Sequence, residues 1–231
     1  MPGQWPEWVW EKRVAAVSNM AASGIAGTIL TLVETDGTAA TPHATSLRGN
    51  GAALRDVADA VHALCIIHGT FPGIVDQAVR GATSAPVGAW LQHAAERFAH
   101  ERAVLARLTA AVGPLPSTPG QAASDAAVLT QRQALAMLAR SDRAGCAAGT
   151  AFAFVLDWAA VRAVLDACTH RLGLPSSEAD DLTSDARAAL LAVSASPAVE
   201  RAMVFGAQQT LAQHRGLWQL LEARASARGK M

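Results

Sequence analysis

The chain has 231 residues, of which 51% are hydrophobic and only 16% charged, well under the roughly 25% of an ordinary soluble domain. Lysine plus arginine and aspartate plus glutamate number 19 each, so there is no basic field to draw nucleic acid or anionic lipid. Alanine dominates, tyrosine is absent and β-branched residues are sparse. Ala, Leu, Arg and Gln are strong helix formers, and the expected class is all-α.

Residues 1–54 are expected to form an N-terminal extension, part helical and part irregular, packed on the main body. Trp5, Trp8 and Trp10 open it. They either dock on the body, where most tryptophan is buried, or serve as a contact for a second copy or another protein. Val14–Val33 carries no charge and is about long enough to cross a bilayer. Ser18, Asn19, Ser23, Gly24, Gly27, Thr28 and Thr31 make it poorly apolar, and tryptophans and glutamates precede it where an export signal has a basic stretch. A helix packed on the body is the expectation, without a membrane role; Thr28–Glu34 also suits an extended segment. Asp36-Gly37 marks a turn, and Pro42 and Gly49-Asn50-Gly51 mark loop.

A bundle domain is expected over 55–225. Val57, Val61, Leu64, His68, Phe71, Val75 and Ala78 share one helical stripe. Within it, His68-Gly69-Thr70-Phe71-Pro72-Gly73 allows two outcomes: a kinked helix running on, or a stop at Gly69 with a new turn at Pro72. A second helix runs over 86–112 with the stripe Val87, Leu91, Ala94, Phe98, Glu101, Leu105, Leu108 and Val112, stopped by Gly113 and Pro114. After a Pro/Gly/Ser linker, helical pattern continues from about 124 to Leu172 without a proline. The uncharged segment Ala144–Leu156 is its most buried part, with Gly145 and Gly149 letting a neighbour approach. A short helix ends near Ser194, Pro197 starts a last long one to about Arg224, and 226–231 reads as a frayed tail. Four long helices plus one short one are expected.

Cys65, Cys146 and Cys168 make no C-x-x-C pair and lie in apolar helical runs. They read as small hydrophobes in a reducing, cytoplasmic setting.

A few polar residues sit in apolar stripes. Glu101 is flanked by Phe98, Val104 and Leu105. A buried carboxylate is costly unless it is paired, protonated or metal-bound, so it pairs with Arg97, pairs with an arginine of another helix, or holds a metal. His68 and His214 face the interior: His68 reads as a core histidine bonded to a carboxylate and His214 as a hydrogen-bonding lining or helix-packing network, or with Glu101 they form a candidate divalent-metal set. Asp142, Asp157 and Gln209 form a second candidate polar pocket, and Asp157-Trp158 with Arg162 suggests an ion pair plus a cation–π contact. His93, Glu96 and His100 share a face beside the apolar stripe, where a solvated surface is expected. No G-x-S-x-G, P-loop, dinucleotide fingerprint or H-E-x-x-H is present.

His68-Gly69-x-x-Pro72-Gly73, Asp157-Trp158, Phe205-Gly206-Ala207-Gln208-Gln209 and Gln213-His214-Arg215-Gly216-Leu217-Trp218 carry a resemblance to ferritin-like bundles. The chain also looks like an uncharacterised family of alanine-rich bacterial helical proteins. The first resemblance implies a four-helix bundle. The di-iron chemistry of such proteins needs Glu-x-x-His on two helices; no Glu-x-x-His occurs here, so the standard di-iron site is not supported. The functional expectation is a non-catalytic bundle acting through structure or protein contacts. The alternatives are a central metal or small-ligand site with an oxidase-like activity, and a peripheral membrane role for the N-terminal segment.

Overall fold

A computed structural model describes residues 24–176 and 182–229. Trp5, Trp8, Trp10 and the first half of the uncharged N-terminal stretch lie outside the described residues. Among the described residues there are nine α-helices: α1 (Ile25–Asp36), α2 (Pro42–Leu47), α3 (Leu54–His68), α4 (Ile74–Ala78), α5 (Ala85–Ala111), α6 (Gln121–Ala139), α7 (Cys146–Arg171), α8 (Leu182–Leu191) and α9 (Pro197–Gly229). One-turn 3-10 helices follow α1 and α4, at Thr38–Ala40 and Val79–Gly81. No strand occurs among the described residues, and none of their helices is long and apolar enough to cross a membrane.

The central element is α7. Nineteen of its 26 residues are buried, so it has no solvent face over most of its length, as expected for a helix that is apolar all round. The longest helix, α9, packs along it, and α1 lies against both. α3 packs on α5, and the bundle closes as α5 meets α7 and α9 meets α3. Phe152, Phe154, Leu64, Leu91, Leu105, Leu165, Met203 and Trp218 are among the fully buried side chains that fill the interior.

Several expectations change on contact with the fold. Helix α3 stops at His68 with Gly69 as its C-cap, whose N–H bonds to the Cys65 carbonyl at 2.8 Å. Phe71 therefore leaves the stripe and stands 76% exposed. The expected continuous helix over 124–172 is two helices, because residues 140–145 unwind and Gly145 turns into α7 at φ +96°, a backbone region that side chains other than glycine avoid. Gly145 is thus the N-cap of α7 rather than part of the helix. The count of long helices rises from four to five for the same reason. Thr28–Glu34 is helical within α1 rather than extended.

The tail also departs from the frayed reading, since α9 runs to Gly229 with Arg224 and Arg228 buried. Arg224 Nε and Arg228 Nη1 both donate to Asp59 Oδ2, at 2.7 and 2.8 Å, and Arg228 Nη2 donates to Asp56 Oδ1 at 2.8 Å. This charge cluster pins the end of α9 to the start of α3. Residues 24–54 likewise belong to the packed body: Ile25, Ala26, Ile29, Ala44 and Leu47 join the core.

Candidate functional site

Four helices meet at the centre, and each brings in a polar side chain. His68 closes α3, Glu101 lies midway along α5, Asp157 and Trp158 sit side by side on α7, and His214 comes from α9. Their exposures are 3%, 4%, 1%, 3% and 2% respectively, so the cluster is closed to solvent.

The two carboxylates are satisfied in different ways. Glu101 Oε1 accepts from Arg162 Nη1 at 2.6 Å, and its Oε2 accepts from Trp158 Nε1 at 2.8 Å. The partner is thus the arginine of another helix, not Arg97 one turn back. Arg162 also donates from Nε to Asp166 Oδ1 at 2.8 Å. Burial by itself would lower the Arg162 pKa, but the Asp166 hydrogen bond and the Glu101 charge outweigh it and the net shift is upward.

Asp157 turns the other way, toward the N-terminal part of the fold. Its Oδ1 accepts from the Thr38 backbone N–H at 2.6 Å and its Oδ2 from the Thr38 hydroxyl at 2.7 Å, while His214 Nδ1 stands 2.7 Å from the same Oδ2. Trp218 Nε1 donates to Thr38 Oγ1 at 2.9 Å. Gly37 makes room for this approach, since a Cβ there would lie 2.6 Å from Asp157 Oδ1. Arg162, expected as the partner of Asp157, is given to Glu101 and Asp166 instead.

A neutral His214 that donates Nδ1–H to Asp157 keeps a lone pair on Nε2. Neither His214 Nε2 nor His68 Nε2 has a hydrogen-bond partner among the described residues. The two rings stand 5.1 Å apart, centroid to centroid, at 78°. Phe154 packs on both, at 5.0 Å from His68 and 6.0 Å from His214, and Trp158 meets His68 edge-on at 5.5 Å. Burial, and then the neighbouring His214, push the His68 pKa well below its ordinary 6.5.

The sign of the resulting pH dependence follows from linkage. A depressed histidine pKa means the unfolded chain takes up a proton that the folded chain refuses. Stability is then complete above about pH 6.5 and falls as pH drops below it, by up to about 1.4 kcal/mol per pH unit for each such group. His43, also buried and lowered chiefly by desolvation, acts in the same direction. Urea unfolding midpoints measured with chelator between about pH 8 and pH 5 should decline in the acid half, and His68→Leu should flatten the slope. A midpoint independent of pH would show that His68 does not stay neutral in the fold.

Of the sequence candidates, His68 and His214 come together. Glu101 reaches them only through Trp158, which bonds Glu101 by Nε1 and touches His68 by its ring. No group of three or more His, Cys, Asp or Glu side chains is placed to hold a metal ion among the described residues. Asp142 and Gln209 are exposed while Asp157 is buried, so those three do not share a pocket. His93, Glu96 and His100 are exposed on α5. Thr38 was not singled out in the sequence, and Trp218 appeared there as the end of the His214 motif without a partner. The signal nearest to Thr38 was the Asp36-Gly37 turn just before it, and Trp218 lies one turn beyond His214 on the same face.

The fold and centre define an all-helical bundle closed around a carboxylate–imidazole–indole cluster. Residues 33–229 match the model of a family of unknown function, DUF6975, and the chain belongs to that family. No curated protein and no solved structure matches it.

Proposed function

We propose that the protein is a non-catalytic bundle that acts by contact, with a second copy of this chain as its partner. The observation that carries this reading is the contrast between centre and surface. The central carboxylates are hydrogen-bonded and out of reach of a substrate, whereas Phe71 and Met137 stand 76% and 68% exposed on the walls of a surface groove of about 680 Å³. Ile74 and Leu135 floor it, and Arg132 and Arg140 stand on its rim. Exposed large apolar side chains beside cationic ones suit a segment that is both apolar and acidic. The sequence Trp5-Pro6-Glu7-Trp8-Val9-Trp10-Glu11 has that composition.

The finer architectural reading, a ferritin-like four-helix bundle, is supported by the ring α3–α5–α7–α9, whose neighbours all touch and which supplies every residue of the central cluster. On that reading α6 and α1 are additions, and the bundle lacks the carboxylate ligands of its metal-bearing counterparts.

Sedimentation of the full chain tests the contact. The expected result is concentration-dependent self-association, weakened about tenfold or more by Met137→Glu and by Trp8→Ala, a loss of about 1.4 kcal/mol. A chain that stays monomeric at every concentration would sink the proposal, as would variants that associate like the parent.

A further inference from the structure

The unwound link between α6 and α7 borders a pocket of about 310 Å³ that shares no residue with the central cluster. Arg140, Ser141, Asp142 and Arg143 enter its lining from the link, and Arg80 and Gly81 from the 3-10 turn after α4. We propose that this pocket binds the phosphate group of a small phosphate monoester. Backbone packing, charge and the state of the donors converge on this.

The backbone explains why the two segments meet. A Cβ at Gly81 would stand 2.8 Å from the Ala147 Cβ, so a glycine is what lets the 3-10 turn lie this close on the first turn of α7. The approach sets Arg80 beside the link that leads into the same helix.

Charge is unbalanced there. Elsewhere in the fold arginines find carboxylates: Arg102 meets Asp76, Arg162 meets Glu101, Arg215 meets Asp36 and Arg224 meets Asp59. Arg80, Arg140 and Arg143 line one pocket, and none of them pairs with a carboxylate among the described residues. Asp142 is the acidic member of the lining, which leaves two positive charges in excess. A concave wall of low dielectric concentrates such a field on whatever enters it. The first turn of α7 carries no acidic residue and no side-chain cap, so the helix end does not offset the excess. A phosphate monoester carries about −1.5 to −2 charge at neutral pH, which matches it.

The donors are held in place and still free to bond. Arg140 Nε donates to the Ala136 carbonyl at 3.1 Å, which anchors the side chain and leaves its two Nη groups available. The Arg143 guanidinium lies over the Phe205 ring, 5.8 Å from its centroid, a contact that holds the group without using its N–H bonds. Ser141 Oγ accepts from the Arg143 backbone N–H at 3.3 Å, so its own proton is left for a ligand oxygen. Guanidinium forks suit phosphate oxygens, which they bond in pairs. At about 310 Å³ the pocket falls at the small end of the range for small-molecule sites, about 300–1,000 Å³. Gly81, Ala139 and Ala144 complete its wall and leave room for a small organic group beside the phosphate.

The test is isothermal titration of the full chain with glycerol 3-phosphate, with inorganic phosphate and with glycerol. One equivalent of glycerol 3-phosphate should bind, more tightly than inorganic phosphate, and glycerol should give no binding heat. Arg140 stands between this pocket and the groove of Phe71 and Met137, so the variants are made at Arg80 and Arg143, which do not line the groove. The outcome is therefore independent of self-association. Arg80→Gln and Arg143→Gln should each weaken binding at least tenfold while melting with the parent, since both arginines are exposed and outside any ion pair among the described residues. Arg55→Gln, at an exposed arginine outside the pocket, should bind as the parent does. The proposal is overturned if glycerol 3-phosphate does not bind, if it binds no better than inorganic phosphate, if either pocket variant binds it like the parent, or if Arg55→Gln weakens it as much as they do.

Discussion

Gly149→Ala is expected to lower the stability of the protein by about 3 kcal/mol or more, at or beyond the top of the usual range for overpacking a core. The added methyl is small, but it has no room. A Cβ at Gly149 would stand 2.0 Å from the Met203 carbonyl oxygen and 2.5 Å from its carbonyl carbon and Cα, which are backbone atoms of α9 and cannot rotate aside. The contact is reciprocal, since a Cβ at Gly206 on α9 would stand 2.2 Å from the Cys146 carbonyl oxygen on α7. The two helices therefore cross with backbone against backbone, and α9 must shift bodily to admit any side chain. That shift would pull His214 away from Asp157, so the damage spreads to the central cluster. For a domain of this size the loss corresponds to a melting temperature lower by roughly 6–12 °C. Gly51→Ala is the control: nothing lies within 4 Å of its added Cβ, and its effect should fall within about 0.5 kcal/mol. Equal melting of Gly149→Ala and the parent would mean that α7 and α9 do not cross this closely.

That crossing was partly legible in the sequence. An uncharged run with two glycines four apart marks a buried helix with a small-residue face, and Gly149 fills that role. Gly145 lies against α9 as well, where a Cβ would stand 2.5 Å from the Val199 carbonyl oxygen; its place as the N-cap was not legible, because the pattern of apolar residues carries no record of φ and no proline announces the break before α7. The stop of α5 before Gly113 was legible for a local reason: the signal and the structure it controls lie within a few residues, and Gly113 takes φ +80° as a terminating glycine does.

Partner choice was the part that sequence could not supply. The inward direction of His68, Glu101 and His214 follows from helical period, yet Asp157 finds Thr38 at a separation of 119 residues and Arg224 finds Asp59 at 165. Period says which face a residue occupies and is silent about what the neighbouring helix presents there. Arg224 and Arg228 were lost for a related reason. Charged residues near a chain end are usually solvated, and only the folded position of α3 reveals that two aspartates wait for them. The central cluster was thus half visible: its imidazoles were anticipated together, while the exchange of partners between Glu101 and Asp157 emerged only from packing.

Asp157→Ala should be the most damaging change at the centre, and Asp157→Asn tells why. The carboxylate is the acceptor for the Thr38 N–H, the Thr38 hydroxyl and the His214 ring. Removing it leaves these groups in a dry interior, and breaking such a buried charged network costs about 3–5 kcal/mol. The effect should be lopsided. Thr38 belongs to the turn that joins α1 to the body, so hydrogen exchange should quicken over 25–40 more than over α5. Asparagine keeps one oxygen for the Thr38 N–H, and its amide N–H groups can donate to Thr38 Oγ1 and to His214 Nδ1. The latter bond requires His214 to move its proton from Nδ1 to Nε2. Much of the stability should therefore return in Asp157→Asn, with a loss of about 1–2 kcal/mol in place of about 3–5. If the asparagine variant melts as low as the alanine one, the negative charge itself holds the site, and counting hydrogen bonds is the wrong description of it. If the alanine variant melts like the parent, the Thr38–Asp157–His214 chain bears none of the load assigned to it.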